Sequence, residues 1–385
     1  MQYYQAIISS YGWQGLALMA FIIVLFVIQL CYYGASFRRL GNYLNKKRKA
    51  LHPTPPPISL IVPMFSEDYD YLEETLPLLL SQEGVEFEVV IVYVGCDNDF
   101  FEDMVRLKGV FHNISVTKIE RNERFPISVK TALNVGIKAS RYEHILFSTT
   151  DARPWSQKWL QLMSRGFQRG DVVVGYCGVE TVDDKFDSYF IRASRFAESL
   201  MWLSKATAAR PYRAIRSNMG FTRSLYFGVK GFNRLNMNIG EDDLFMQSIM
   251  TRENTSVILS PRATVFQRNW GRLDGLIDTT RYYGSATKFY PSHARNFVAW
   301  EMASRVLFFV LIVAGVILLP LELKALILFF VLIRIWVMLS TVNKVAKRVG
   351  EERIVGRYLL FDLLQPLFAL FMATKMIKRD KRVWR

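Results

Sequence analysis

The sequence predicts an α/β protein in which a mostly parallel, Rossmann-like sheet stands between helices that enter a membrane. Three observations lead to that class. Short apolar runs of strand length alternate with helical patterns between residues 58 and 167, runs long enough to cross a bilayer lie near both ends, and positive charge gathers directly behind those runs. The 385 residues are 51% hydrophobic and 22% charged, which excludes a disordered chain, a collagen and a small disulfide scaffold. Cys31, Cys96 and Cys177 are too few and too scattered for a structural zinc cage or a bridge framework, and suit a reducing compartment. A net charge of +15 would suggest a nucleic-acid partner if it covered one face. Instead, the stretches 37–50, 341–357 and 374–385 hold +14 of it and the remainder is nearly neutral. That is the pattern of cytoplasmic flanks in a membrane protein, and no nucleic acid is expected.

Residues 1–36 read as a transmembrane anchor. No charged side chain precedes Arg38, and residues 15–35 can cross about 30 Å of hydrocarbon. A secretory signal would carry its positive charge in front of the apolar run. Here Arg38, Arg39, Lys46, Lys47, Arg48 and Lys49 lie behind it, which predicts an uncleaved anchor with its N-terminus outside. Residues 37–56 form a basic, Pro-rich linker, 57–270 the α/β domain, 271–300 interfacial helices rich in aromatic and basic side chains, and 301–340 a transmembrane hairpin turning at Pro320. Arg334 interrupts the second hairpin run; it meets a lipid head group, pairs with Asp362, or reaches an interface. Residues 341–385 comprise a basic cytoplasmic loop, a helix over 358–374 and a basic tail. A full crossing by that helix would leave the tail outside, so a re-entrant or interfacial course is expected, with a transmembrane course as the alternative.

Inside the domain, residues 58–62 are a continuous apolar run suited to a buried parallel strand. Helical spacing covers 71–81, strand character 87–94, a helix 129–139, a strand 144–149 and a helix 156–167. In such a sheet the ligand lies beyond the carboxyl ends of the strands. That rule marks 65–68, 95–99, 149–153 and the acidic cluster at 240–243.

Those positions carry recognisable motifs: IVPMFSED at 61–68, TTDARP at 149–154, Asn218 followed by Gly231-Phe232, and GEDDL at 240–244. Their order between membrane segments resembles the membrane-bound family 2 glycosyltransferases of bacterial type, with a GT-A fold. The resemblance runs from about Ile58 to the C-terminus. It implies an inverting enzyme that moves a sugar from a nucleotide-diphosphate sugar, a UDP-sugar above all, onto a lipid-linked or polysaccharide acceptor. The catalytic domain would lie at the cytoplasmic face of a bacterial inner membrane.

Such chemistry needs charge neutralisation on the departing diphosphate and a base for the attacking hydroxyl. Asp151, just past a buried strand, is the candidate ligand for Mg2+ or Mn2+ and aligns with the second aspartate of the D-x-D signature; the same residue could instead form a turn or cap the next helix. Neighbouring negative charges in Glu241, Asp242 and Asp243 should raise one carboxyl toward a useful pKa. By the resemblance Asp242 is the base and Asp243 the reserve, although the cluster also suits the N-cap of a helix over 244–251. Glu67 and Lys130 match donor-binding positions, Asp97 or Asp99 is a displaced nucleotide-binding acid, and Arg281 matches a diphosphate contact. Asn218 and Tyr282 would line the acceptor side. Departures accompany these matches. Thr149 replaces the first aspartate of D-x-D, Val94 and Gly95 occupy the place of a nucleotide-binding acid, and Asp278 replaces a glutamine. They raise a competing expectation: a weak or inactive relative working with partner proteins in a glycan-assembly complex.

Overall fold

Residues 58–64 combine β-branched and other apolar side chains without a polar face, and they form β1 (Ile58–Met64), buried at every position. Pro63 would normally argue against a central strand because it cannot donate to the ladder. Here β4 (His144–Phe147) pairs with β1 only as far as Ile61, so the missing N–H of Pro63 faces beyond the end of its neighbour. The computed structural model describes residues 2–44, 52–121, 127–181, 185–234, 240, 243–269 and 273–377. The chain divides into two units.

The α/β unit spans Tyr43–Tyr290 with Arg348–Glu351. Beside β1 lie β2 (Phe87–Val94) and β3 (Ile114–Ile119), both parallel to it. On its other side lies β4, followed across the sheet by strands β6 (Val172–Gly175), β8 (Met219–Thr222) and β9 (Thr255–Ile258), in the order β3-β2-β1-β4-β8-β6-β9. Only β8 runs antiparallel to its neighbours. Because β2 and β3 lie to one side of β1 and β4 to the other, the crevice of this sheet opens between β1 and β4. A second sheet, in the order β5-β10-β7, joins β5 (Ala152–Pro154), β7 (Cys177–Thr181) and β10 (Val265–Asn269). The helix Val129–Ala139 forms as its spacing predicts, with Ser128 accepting from Thr131 N at its start. The helical expectation over 71–81 is met by a π-helical stretch, Tyr71–Thr75, that continues into the α-helix Leu76–Leu80, whereas the helix expected over 156–167 begins only at Trp159.

The other unit contains the N-terminal segment to Asn42, Pro291–Lys347 and Glu352–Ile377. Four helical stretches are long and apolar enough to cross a membrane: Gly12–Gly41, Ser292–Leu318, Leu321–Val349 and Arg353–Met372. The hairpin helices are longer than the apolar runs alone suggested. One begins inside the expected interfacial region, and the other runs through 341–349, expected as a basic loop. Tyr358–Ile377 is one helix that continues through Pro366. Of the three expectations for Arg334, pairing prevails: its Nη1 and Nη2 donate to Asp362 at 2.6 and 3.1 Å, and Nη2 also donates to Gln29 at 3.0 Å. Arg305 donates to Glu301 and, at 3.2 Å, to Tyr33, whose hydroxyl donates to Asp362 at 3.4 Å. All of these side chains are buried, so the charges are matched within protein.

Candidate active site

The turn after β4 is set by Ala152 N donating to Thr149 O at 3.1 Å and by Arg268 N donating to Asp151 O at 2.9 Å. β5 then pairs antiparallel with β10, placing Ala152 opposite Gln267. This leaves the exposed Asp151 carboxylate at the carboxyl end of β4 with two neutral donors. Thr149 Oγ1 donates to Oδ1 at 2.5 Å, and Gln267 Nε2 lies 3.3 Å from each oxygen. Ser217 Oγ is 3.0 Å from Thr149 Oγ1. Beside this group, Glu74 accepts from Arg153 and, at 3.0 Å, from Arg268. The hydrogen bond and charge of Arg153, helped by Arg268, hold the Glu74 carboxyl below its ordinary range.

At the ends of β1 and β2, exposed Glu67 accepts from the hydroxyl of Tyr93, which in turn accepts from Asp97 N at 3.3 Å. Burial, and then the bond to Glu67, push the Tyr93 phenol up to about 12, so it remains a donor. A side chain at Gly95 would run into the Tyr93 ring, which explains the glycine where the motif commonly has an acid nearby. Asp97 spends one oxygen as an N-cap, accepting from Phe100 N at 2.8 Å. Lys130 lies half-buried in the first turn of the Val129–Ala139 helix.

The acidic cluster is only partly within the described residues: Glu241 and Asp242 lie outside them. Gly240 has φ +103°, which calls for glycine; its N–H donates to Tyr282 Oη at 3.1 Å. Asp243 is fully buried, and its two oxygens accept from Leu244 N at 2.6 Å and Tyr290 Oη at 2.9 Å. It caps the short helix Leu244–Ile249.

One expectation is corrected. Asn218 does not line an acceptor path. It is wholly buried, donates to Tyr176 O and Ala263 O at 2.7 and 2.9 Å, and accepts from Trp159 Nε1 at 2.9 Å, binding three parts of the domain together. Arg281 faces outward on the helix Leu273–Ala286 and pairs with Asp278 at 3.5 Å, the residue that replaces the motif's glutamine. Sequence reasoning passed over Gln267, Glu74, Ser217 and Tyr93. A signal existed for Gln267, a polar residue inside the strand run VFQRN; contacts of Glu74 and Ser217 with residues far along the chain leave no local pattern.

A sheet of this order, with acidic and hydroxyl side chains at the carboxyl ends of its strands, is that of a Rossmann-like α/β domain. Residues 59–229 match the model described as glycosyl transferase family 2, and this part of the chain is a family 2 glycosyltransferase domain. Among solved structures, the mannosyltransferase PcManGT from Pyrobaculum calidifontis, in complex with GDP-Man and Mn2+, is similar at 17% identity and TM-score 0.56, over 91% of this chain and 99% of that one. TarS 1-349 of S. aureus aligns at 16% identity and TM-score 0.42, over 79% of this chain and 91% of that one. No curated protein matches the sequence.

Proposed function

We propose that the protein is an inverting glycosyltransferase that takes a sugar from a nucleotide-diphosphate donor, a UDP-sugar in the first instance, and places it on a lipid-linked or polysaccharide acceptor at the cytoplasmic membrane face. The observation that carries this reading is the Asp151 carboxylate, exposed at the carboxyl end of β4 and oriented by Thr149 and Gln267. The donor set fits Mg2+ or Mn2+. Such ions are commonly held by one or two carboxylates together with substrate phosphates, and among the described residues no group of three or more His, Cys, Asp or Glu forms a closed cage. Asp151 would hold the ion, which when bound supplies Lewis-acid stabilisation of the diphosphate leaving group. Glu67, kept in place by Tyr93, is proposed to meet the nucleoside, with Asp97 next to it through Tyr93 and Lys130 as a further donor contact.

The base must reach the acceptor hydroxyl. Asp243 suits this poorly because both of its oxygens are engaged inside the core, so Asp242 takes the role, with Glu241 beside it. On either side of these two residues in sequence, Gly240 N donates to Tyr282 and Asp243 accepts from Tyr290. The inner-membrane setting rests on the four apolar helices and the basic flanks. The test is turnover of radiolabelled UDP- and GDP-sugars with native membrane extract as acceptor. Asp242→Asn should lose transfer while retaining nucleotide binding, and Asp151→Asn should lose metal-dependent binding. Donor binding without turnover by the unmodified protein would favour a non-catalytic partner in a glycan-assembly complex.

A further inference from the structure

We propose that Gln267 and Thr149 are positioning residues that clamp the Asp151 carboxylate into one orientation as a single-charge oxygen ligand. The inference rests on the reading of Asp151 as the metal-holding residue. Rotation of a carboxylate about its last bond is soft, and one hydrogen bond leaves it free to turn. Two donors from separate segments remove that freedom: Thr149 reaches Oδ1 from the turn after β4, while Gln267 reaches both oxygens from β10. Each donor is itself held. Gln267 is paired with Ala152 on one side and Val179 on the other, and its Oε1 lies 3.8 Å from the buried Cys177 thiol. Thr149 has Ser217 at 3.0 Å.

Both donors are neutral. A second carboxylate at position 149 would add charge and compete for the ion, whereas a hydroxyl and an amide occupy some lone pairs and leave the exposed side of Asp151 for a ligand. Threonine in the place of the first D-x-D aspartate is then a change in how the ligand is oriented, and the site is retained. Partners that orient a metal ligand are typically worth about 10–100-fold in metal affinity.

The experiment measures Mn2+ binding by the full-length protein in detergent, from the electron paramagnetic resonance signal of free Mn2+, with UDP or GDP present and no turnover. Thr149→Val and Gln267→Ala should each weaken Mn2+ binding about tenfold, and Thr149→Ser, which keeps the hydroxyl, should restore it. Thermal unfolding checks that the variants fold; if Gln267→Ala does not, the near-isosteric Thr149→Val decides. Unchanged Mn2+ affinity in Thr149→Val, with affinity lost in Asp151→Asn, would overturn the clamp alone. Unchanged affinity in Asp151→Asn, or no Mn2+ binding by the unmodified protein with either nucleotide, would overturn the metal-ligand reading and the clamp with it.

Discussion

Asn218 shows how a motif residue can act without touching a ligand. Its amide satisfies two carbonyls and an indole N–H inside the core, and removing it leaves three buried polar groups without that partner. Asn218→Ala should therefore cost roughly 2–4 kcal/mol of stability, measured by chemical denaturation in detergent, and the KM for acceptor in the fraction that remains folded should be unaffected. Glu74 makes a prediction in pH. Its carboxyl is held low by Arg153 and Arg268, so the folded state binds its proton less readily than the unfolded chain does. The stabilisation is complete above the ordinary carboxylate value of 4.5 and is lost as pH falls through the lower folded value. The thermal midpoint of the wild type should exceed that of Glu74→Gln at neutral pH, and the gap should close on acidification. A gap constant with pH would show that the contact contributes through packing alone.

At the scale of elements, β8 decides how the sheet continues beyond β4. It enters antiparallel between β4 and β6, and the approach is close: a Cβ on Gly220 would lie 2.4 Å from the carbonyl oxygen of Ile145. That oxygen belongs to the backbone of β4 and cannot swing aside as a side chain can. Gly220→Ala should thus destabilise the domain by about 1–3 kcal/mol, and it should loosen the β4 end that carries Thr149 and Asp151. Amide hydrogen exchange across 144–149 is the measurement, with faster exchange expected in the variant. The helix Leu273–Ala286 is tied to the same unit by Tyr282 on Gly240 N and by the Tyr283 ring, 3.3 Å from the Arg213 guanidinium. The aromatic residues expected at a membrane surface in this stretch therefore include some that pack within the domain.

For the whole molecule, the four apolar helices meet in one polar cluster, with Gln29 and Tyr33 on the first, Glu301 and Arg305 on the second, Arg334 on the third and Asp362 on the fourth. Removing one member leaves a buried charge uncompensated, on the order of 3–5 kcal/mol for a buried pair. Asp362→Asn should accordingly lower the thermal stability of the detergent-solubilised protein far more than Lys347→Gln, an exposed position, and adding Arg334→Gln should recover part of the loss. The basic flanks predict the orientation. An impermeant thiol reagent applied from outside should label Gln5→Cys and spare Lys347→Cys; the reverse pattern would invert the topology.

Much of this protein was legible in its sequence because the signals were local. Residues 58–64, 87–94 and 129–139 carry their strand or helix in their own period, the apolar runs mark helices long enough to cross a membrane, and the order of motifs marks the family. The placement of Asp151 at the end of β4 follows from the same rule. What the tertiary structure alone decided are the partners. Asn218 becomes a core strut, Arg334 finds Asp362, and Gln267 arrives beneath Asp151, because hydrogen bonds and ion pairs join residues brought together by strand order and helix packing. A polar side chain buried by such a contact must be satisfied there, and the partner that satisfies it can lie anywhere along the chain.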